Sequence, residues 1–178
     1  METQRPNPLL VFAPGLFSGT TGLITGGGRG IGRATALGFA RLGANVVIAS
    51  NEPAELVEVA REVESTGAPC LHLEVNIRDV GSVERLRDVT LNRFGSVDFV
   101  INNAGGQFTA SPFAISDNGW RAVVDLNLNG TWNMAIASCL TSWSGAAARS
   151  STSCTFSCSS EERRCSHIRA PHAPALST

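Results

Sequence analysis

An α/β fold built on a doubly wound parallel sheet is predicted by three features of this chain. Short β-branched runs alternate with amphipathic stretches from Thr20 to about Trp143, the pattern of strand and helix repeats that feed parallel pairing. Each candidate strand is a near-continuous apolar run, as a strand covered on both faces requires. A glycine cluster, Thr25-Gly26-Gly27-Gly28-Arg29-Gly30-Ile31-Gly32, links the first of these runs to the first amphipathic stretch.

The runs predict about four strands, at Thr21 to Thr25, Asn45 to Ser50, Leu71 to Asn76 and Val97 to Asn102. The first helix is expected to begin inside the glycine loop, carry Ala34, Leu37, Phe39, Ala40 and Leu42, and stop at Gly43. Pro53 suits the first turn of a second helix, whose apolar face is Leu56, Val59, Ala60 and Val63. Asp79 is the expected N-cap of a third, with Val83, Leu86 and Val89 at helical spacing. A fourth helix is expected over roughly Gly119 to Ser142.

Beyond Trp143 the composition changes. Nine of the last 35 residues are Ser, and no valine lies beyond Val124, so a disordered tail is expected in place of further strands. The expected organisation is an N-terminal extension over 1–19, an incomplete dinucleotide-binding domain over 20–143 and a tail over 144–178.

With 178 residues and 43% hydrophobic content, the chain is long enough for one domain with a real core. A net charge of −1, with all positive charge on Arg, offers no basic surface for nucleic acid or anionic membrane. The opening, Met1 to Pro8, lacks a secretory pattern, and no apolar run is long enough to span a bilayer. The five cysteines are odd in number, and Cys70 and Cys139 sit in apolar contexts. Reduced thiols and a cytoplasmic location are expected. Cys154, Cys158, Cys165 and His167 lack paired Cys-x-x-Cys spacing, so no metal site is expected.

A glycine loop between a strand and a helix lets the backbone approach a pyrophosphate and aims helix amides at its charge. Gly26, Gly30 and Gly32, with Arg29 and Ile31 between them, fit that task in a Rossmann-type unit. Asn76-Ile77 and Asn102-Asn103-Ala104-Gly105 sit at the ends of the third and fourth candidate strands, where the same cofactor would pass. Ser50-Asn51 ends the second strand, where an acidic residue would favour NAD and a basic one NADP. Arg29 is placed to pair with a 2′-phosphate while Glu52 opposes it, and NADP(H) is the expected cofactor over NAD(H).

The glycine loop, Asn103-Ala104-Gly105 and Asp125-Leu126-Asn127 together resemble the short-chain dehydrogenase/reductase family. The resemblance implies cofactor contacts from Gly26, Arg29, Gly30, Ile31, Gly32, Ser50, Asn51, Asn76, Ile77, Asn103, Ala104 and Gly105. It also implies that Asn127 is the family's catalytic-helix asparagine, which holds a water in the proton relay. The family's proton donor is a Tyr assisted by a Lys, yet this chain contains neither residue type. Ala13-Pro14-Gly15-Leu16, Asn76-Ile77-Arg78 and Gly105-Gly106-Gln107-Phe108 narrow the resemblance to the peroxisomal trans-2-enoyl-CoA reductase-like group. That group reduces an enoyl-CoA double bond with NADPH, which implies an acyl-CoA thioester substrate, Gln107 and Phe108 on the substrate side, and homo-oligomers for an intact relative. A non-catalytic NADP(H)-binding fragment and a non-functional truncation product are the alternatives.

In relatives a Gly-Ser-Ile-Val-Asn-type strand follows the helix ending near Trp143, whereas this chain reads Ala146-Ala147-Ala148-Arg149-Ser150-Ser151-Thr152. One permitted set of codons, GCG GCG GCT CGA TCG TCA ACG, read from the third base onward gives Gly-Gly-Ser-Ile-Val-Asn. The same shift over His167 to Ala175 permits His-Ser-Gly-Ala-Ala-Arg-Ala-Gly, though not a Tyr-x-x-x-Lys spacing. A frameshift near Ser144 is the expectation. Resequencing the DNA from the Ser138 codon to the stop checks it: one base gained or lost is expected, and a confirmed frame rejects the shift.

Overall fold

Val46-Val47-Ile48-Ala49 is apolar at four successive positions. Because side chains leave a strand alternately, such a run needs cover on both faces. The computed structural model, which describes residues 11–143, provides that cover. Strands β1 (Thr21–Thr25), β2 (Asn45–Ser50), β3 (Cys70–Glu74) and β4 (Phe99–Ile101) form a parallel sheet in the order β3-β2-β1-β4. Ile24, Val46 and Ile48 pack with Ala36, Leu37 and Ala40 of α1 (Gly30–Arg41) and with Leu56, Val59, Ala60 and Val63 of α2 (Pro53–Ser65). The alternate positions Leu23, Val47, Ala49 and Val100 pack with Val83 and Leu86 of α3 (Val80–Phe94). Met134 and Ala137 join them from the last helix.

The doubly wound expectation therefore holds, β1 and β2 have the expected bounds, and the second helix starts at Pro53 as expected. Asp79 caps α3 as expected, its carboxylate accepting from the Gly81 and Ser82 amides at 3.2 Å each. Other details differ. Strand β3 ends at Glu74, so Asn76 and Ile77 lie in the loop beyond it. Nor is β3 covered on both faces: it is an edge strand, with His72 and Glu74 exposed and only Cys70 packed toward α1 and α2. Strand β4 is limited to three residues. Before it, the Asp98 carboxylate accepts from the Thr21 amide at 2.7 Å, and the Asp98 amide donates to the Thr21 carbonyl at 2.9 Å.

The expected fourth helix is three pieces. α4 (Asp117–Val124) is capped by the Ser116 hydroxyl, which accepts from the Gly119 amide at 3.1 Å. A π-helical turn at Asp125–Asn129 then leads into α5 (Gly130–Trp143). The single expected helix overlooked this turn because one inserted residue shifts the apolar register by a single position, too small a change to read over so short a segment.

Residues before Thr20 are joined to the sheet. The Phe17 amide donates to the Leu42 carbonyl at 3.0 Å. Its ring lies 4.9 Å from Phe39 and 5.7 Å from Phe99, and the latter two are 4.6 Å apart. Gly22 makes room for this cluster, since a Cβ there would run into the Phe99 ring. Cys70 is a free, half-buried thiol; burial, followed by the Glu64 carboxylate, pushes its pKa up to about 12. It therefore stays protonated at neutral pH and is a packing group.

Among the described residues no helix is long and apolar enough to cross a membrane, and no group of His, Cys, Asp and Glu is arranged to hold a metal. The 144–178 tail, its cysteines with His167, and the shifted-frame segment lie outside the described residues.

Gly22→Val should overpack the aromatic cluster and cost about 1–3 kcal/mol. Chemical denaturation against the unsubstituted chain checks it, with the midpoint expected to fall and the m-value unchanged.

Candidate functional site

From β1 the chain winds outward to β2 and β3, then returns to place β4 on the other side of β1. The loops after β1 and β4 therefore leave in opposite directions and open a crevice at the carboxyl ends of the strands, the usual ligand position in open α/β sheets. A cleft of about 740 Å³ lies there, bounded by Gly26 and Arg29 after β1, Ser50 and Asn51 after β2, Asn76 to Arg78 after β3 and Asn103 to Phe108 after β4.

The glycine loop is shaped for close approach. Gly26 has φ +65°, and a Cβ on it would lie 2.9 Å from Asn103 Nδ2 and 3.1 Å from the Ala104 Cα. A Cβ on Gly32 would run into the Gly26 carbonyl oxygen, so the start of α1 packs against the loop only because that position is glycine. Gly30, at φ +54°, has nothing within 4 Å of where a Cβ would stand. The helix has no side-chain cap at Arg29 and no acidic residue in its first turn. Free amides at the positive end of a helix beside a glycine-lined cleft fit a pyrophosphate.

Asn103 and Thr25 hold the two sides of the crevice together. Asn103 Nδ2 donates to the Thr25 carbonyl at 3.0 Å and to the Gly26 carbonyl at 3.2 Å. The buried Thr25 hydroxyl accepts from the Asn103 and Ala104 amides at 3.0 Å each and donates to the Ile101 carbonyl at 3.4 Å. Asn103 thus shapes the loop, and its Nδ2 is already engaged. Neighbouring Asn102 keeps Oδ1 buried with no hydrogen-bond partner among the described residues, an arrangement with no account from the residues around it.

The wall after β3 is fixed by its own turn and by α5. Asn76 Oδ1 accepts from the Arg78 amide at 3.2 Å and from Arg78 Nε at 3.3 Å. Asn133 Nδ2 donates to the Ile77 carbonyl at 3.0 Å, and a Cβ on Gly130 would lie 2.7 Å from Ile77 Cδ1. The wall after β4 is fixed by Asn127. Its Nδ2 donates to the Gly106 and Val123 carbonyls at 2.8 Å each, and its Oδ1 accepts from the Gly106 amide at 3.2 Å. A Cβ on Gly105 would stand 2.6 Å from that oxygen.

Of the residues singled out by sequence, Gly26, Arg29, Ser50, Asn51, Asn76, Ile77, Asn103, Ala104 and Gly105 line one cleft, together with Gln107 and Phe108. Gly30, Ile31 and Gly32 do not line it; Ile31 is exposed on the first turn of α1. Asn127 stands behind Gly105 and Gly106, its side chain bound to backbone. Arg29 lines the cleft while forming an ion pair with Glu55 at 3.4 Å. Sequence reading missed Arg78, Gly106, Glu74 and Leu126 as lining residues, and Thr25, Gly130 and Asn133 as supports. Arg78, two positions past Asn76, was open to the same strand-end reasoning; the supports gave no local signal because their partners are remote in sequence.

Asn103→Ala should remove two hydrogen bonds from partly buried carbonyls and cost about 1–3 kcal/mol. Urea unfolding checks the loss, and an unchanged midpoint would show that the bridge contributes nothing to stability.

The model of the short chain dehydrogenase family matches residues 20–151. A protein of Caenorhabditis elegans named as a probable (3E)-enoyl-CoA-producing 2,4-dienoyl-CoA reductase is 38% identical over 132 residues, covering 73% of this chain and 42% of the relative. The peroxisomal 2,4-dienoyl-CoA reductase of Arabidopsis thaliana is 34% identical, covering 80% of this chain and 48% of the relative. The chain thus spans less than half the length of these relatives. Among solved structures, a citronellol catabolism dehydrogenase of Pseudomonas aeruginosa superimposes with a TM-score of 0.68 at 35% identity, over 71% of this chain and 52% of that one. The glycine loop, the switch-point cleft and the family match converge: this chain belongs to the short-chain dehydrogenase family, with the NAD(P)-binding architecture that the family implies.

Proposed function

We propose that this chain is the cofactor-binding part of an NADP(H)-dependent reductase that acts on an enoyl-CoA thioester. The observation that carries the reading is the glycine-shaped cleft at the switch point, in a chain whose curated relatives include proteins named 2,4-dienoyl-CoA reductase. The trans-2-enoyl group expected from sequence and the dienoyl reductases share the substrate class, a conjugated acyl-CoA.

A nicotinamide cofactor supplies hydride in such a reaction. The amides at the start of α1 and the glycine loop would hold its pyrophosphate, Ser50 and Asn51 its adenosine ribose, and Asn76 to Arg78 and Ala104 its adenine side. Gln107 and Phe108 lie at the wall after β4 and would face the acyl thioester, whose oxygen gathers negative charge as hydride arrives at the β-carbon and needs a donor close by. Asn127 would act by position, holding Gly106 at this wall. NADP(H) is favoured because Ser50 and Asn51, the residues at the end of β2 that line the cleft, carry no carboxylate to repel a 2′-phosphate, Glu52 does not line it, and Arg29 does.

Homo-oligomers of the intact reductase are part of the proposal. Trp120, Leu128, Trp132 and Ile136 are exposed along α4, the π turn and α5, and an apolar stripe of this kind suits a protein contact. A cytoplasmic location is also proposed, where a free thiol such as Cys70 persists.

A second reading, nucleotide binding without turnover, is favoured by the absence of Tyr and Lys from the chain. Two measurements on the full chain separate the readings. NADPH at one hundred times its dissociation constant should stabilise the fold by about 2.7 kcal/mol, seen as a rise in Tm larger than the same concentration of NADH produces. NADPH oxidation with a conjugated enoyl-CoA then distinguishes a reductase from a binding module, and no shift with either nucleotide rejects both.

A further inference from the structure

The sheet order sets the loop after β1, the end of β2 and the loop after β3 side by side. Ser50 and Asn51 therefore lie between Arg29 on one flank and Arg78 on the other, and all four line the same cleft. The two arginines differ in how their charge is used. Arg29 pairs with Glu55 at 3.4 Å, and the Glu55 side chain packs against the loop at Gly28. Arg78 forms no ion pair among the described residues. Its Nε donates to the neutral Asn76 Oδ1, and neither terminal guanidinium nitrogen has a partner among the described residues. Its backbone is held from two sides: the amide donates to Asn76 Oδ1, and the carbonyl accepts from Asn133 Nδ2 on α5 at 3.5 Å.

We propose that Arg78 is a specificity-determining residue that binds the 2′-phosphate of NADP(H) across the adenosine ribose from Arg29. The inference rests on the NADP(H) reading given above. A phosphate on that ribose meets one cation already offset by Glu55 and one without a carboxylate partner, and a guanidinium held by one nitrogen can still donate from the other two to phosphate oxygens. Glu74 is the one carboxylate-bearing residue among those lining the cleft, and it forms no ion pair with either arginine. Asn76 acts as a positioning residue, fixing the direction of Arg78 through Nε.

The test uses the full chain and two probes that differ only in the group at issue, adenosine 2′,5′-bisphosphate and adenosine 5′-monophosphate, with binding followed by calorimetry. Arg78→Gln, an exposed change, is expected to weaken the bisphosphate about tenfold, the effect of losing a charge-assisted hydrogen bond, and to leave the monophosphate within about twofold. Equal weakening of both probes would mean that Arg78 stacks on the base, and no change would mean that it is merely solvated; either overturns the proposal. Arg29→Gln in parallel keeps the outcomes apart. If it alone lowers bisphosphate affinity, the NADP(H) reading stands without Arg78; if the unsubstituted chain binds both probes equally, the NADP(H) reading itself fails and the role of Arg78 fails with it.

Discussion

The bridge between Thr25 and Asn103 is the constraint on which the site depends. It joins the ends of two strands 78 positions apart in sequence, at the place where the sheet changes direction. The Thr25 hydroxyl accepts from the Asn103 and Ala104 amides just past β4, and Asn103 Nδ2 donates to the Thr25 and Gly26 carbonyls as the loop turns away. Unpaired polar backbone in a partly buried position is expensive. With these atoms satisfied internally, the glycine loop can stay open toward the cleft and keep the α1 amides free for a ligand.

The second constraint is the helical segment from Asp117 to Trp143, which supports the walls after both β3 and β4. Asn127 holds Gly106 through its backbone, and Gly130 and Asn133 hold Ile77. The π turn between α4 and α5 contains Asn127. One inserted residue changes which side chains face the sheet on either side of it, so Asn127 and Asn133 address different loops from one continuous run of helix. Thr131 settles part of the disturbed ladder by donating its hydroxyl to the Asn127 carbonyl at 2.7 Å.

The sheet edges show how cover varies with position. Strand β2, at the centre, is closed on both faces, whereas β3 at one edge exposes His72 and Glu74, polar side chains that discourage further pairing. Strand β4 carries Phe99, Val100 and Ile101 and pairs only with β1 among the described residues. Its inner face is secured by Gly22, whose missing side chain admits the Phe99 ring to the cluster with Phe17 and Phe39.

Much of this was legible along the chain. Continuous apolar runs located β1 and β2, Pro53 and Asp79 marked the starts of two helices, and the glycine spacing after β1 pointed to the crevice, because each of these signals is local and has one physical cause. The extent of β3 and β4 was less legible, since pairing with a neighbour decides where a strand stops: Asp98 satisfies Thr21 with its side chain, and β3 pairs on one side alone among the described residues. The π turn, the Thr25 to Asn103 bridge and the buttress of Asn133 on Ile77 were hidden for the same reason. The sequence by itself determined the fold class, the glycine loop and the absence of Tyr and Lys. Only the tertiary structure decided that Asn103 and Asn127 spend their side chains on backbone and that Arg78 lines the same cleft as Arg29, because those facts depend on atoms brought together from distant positions in the chain.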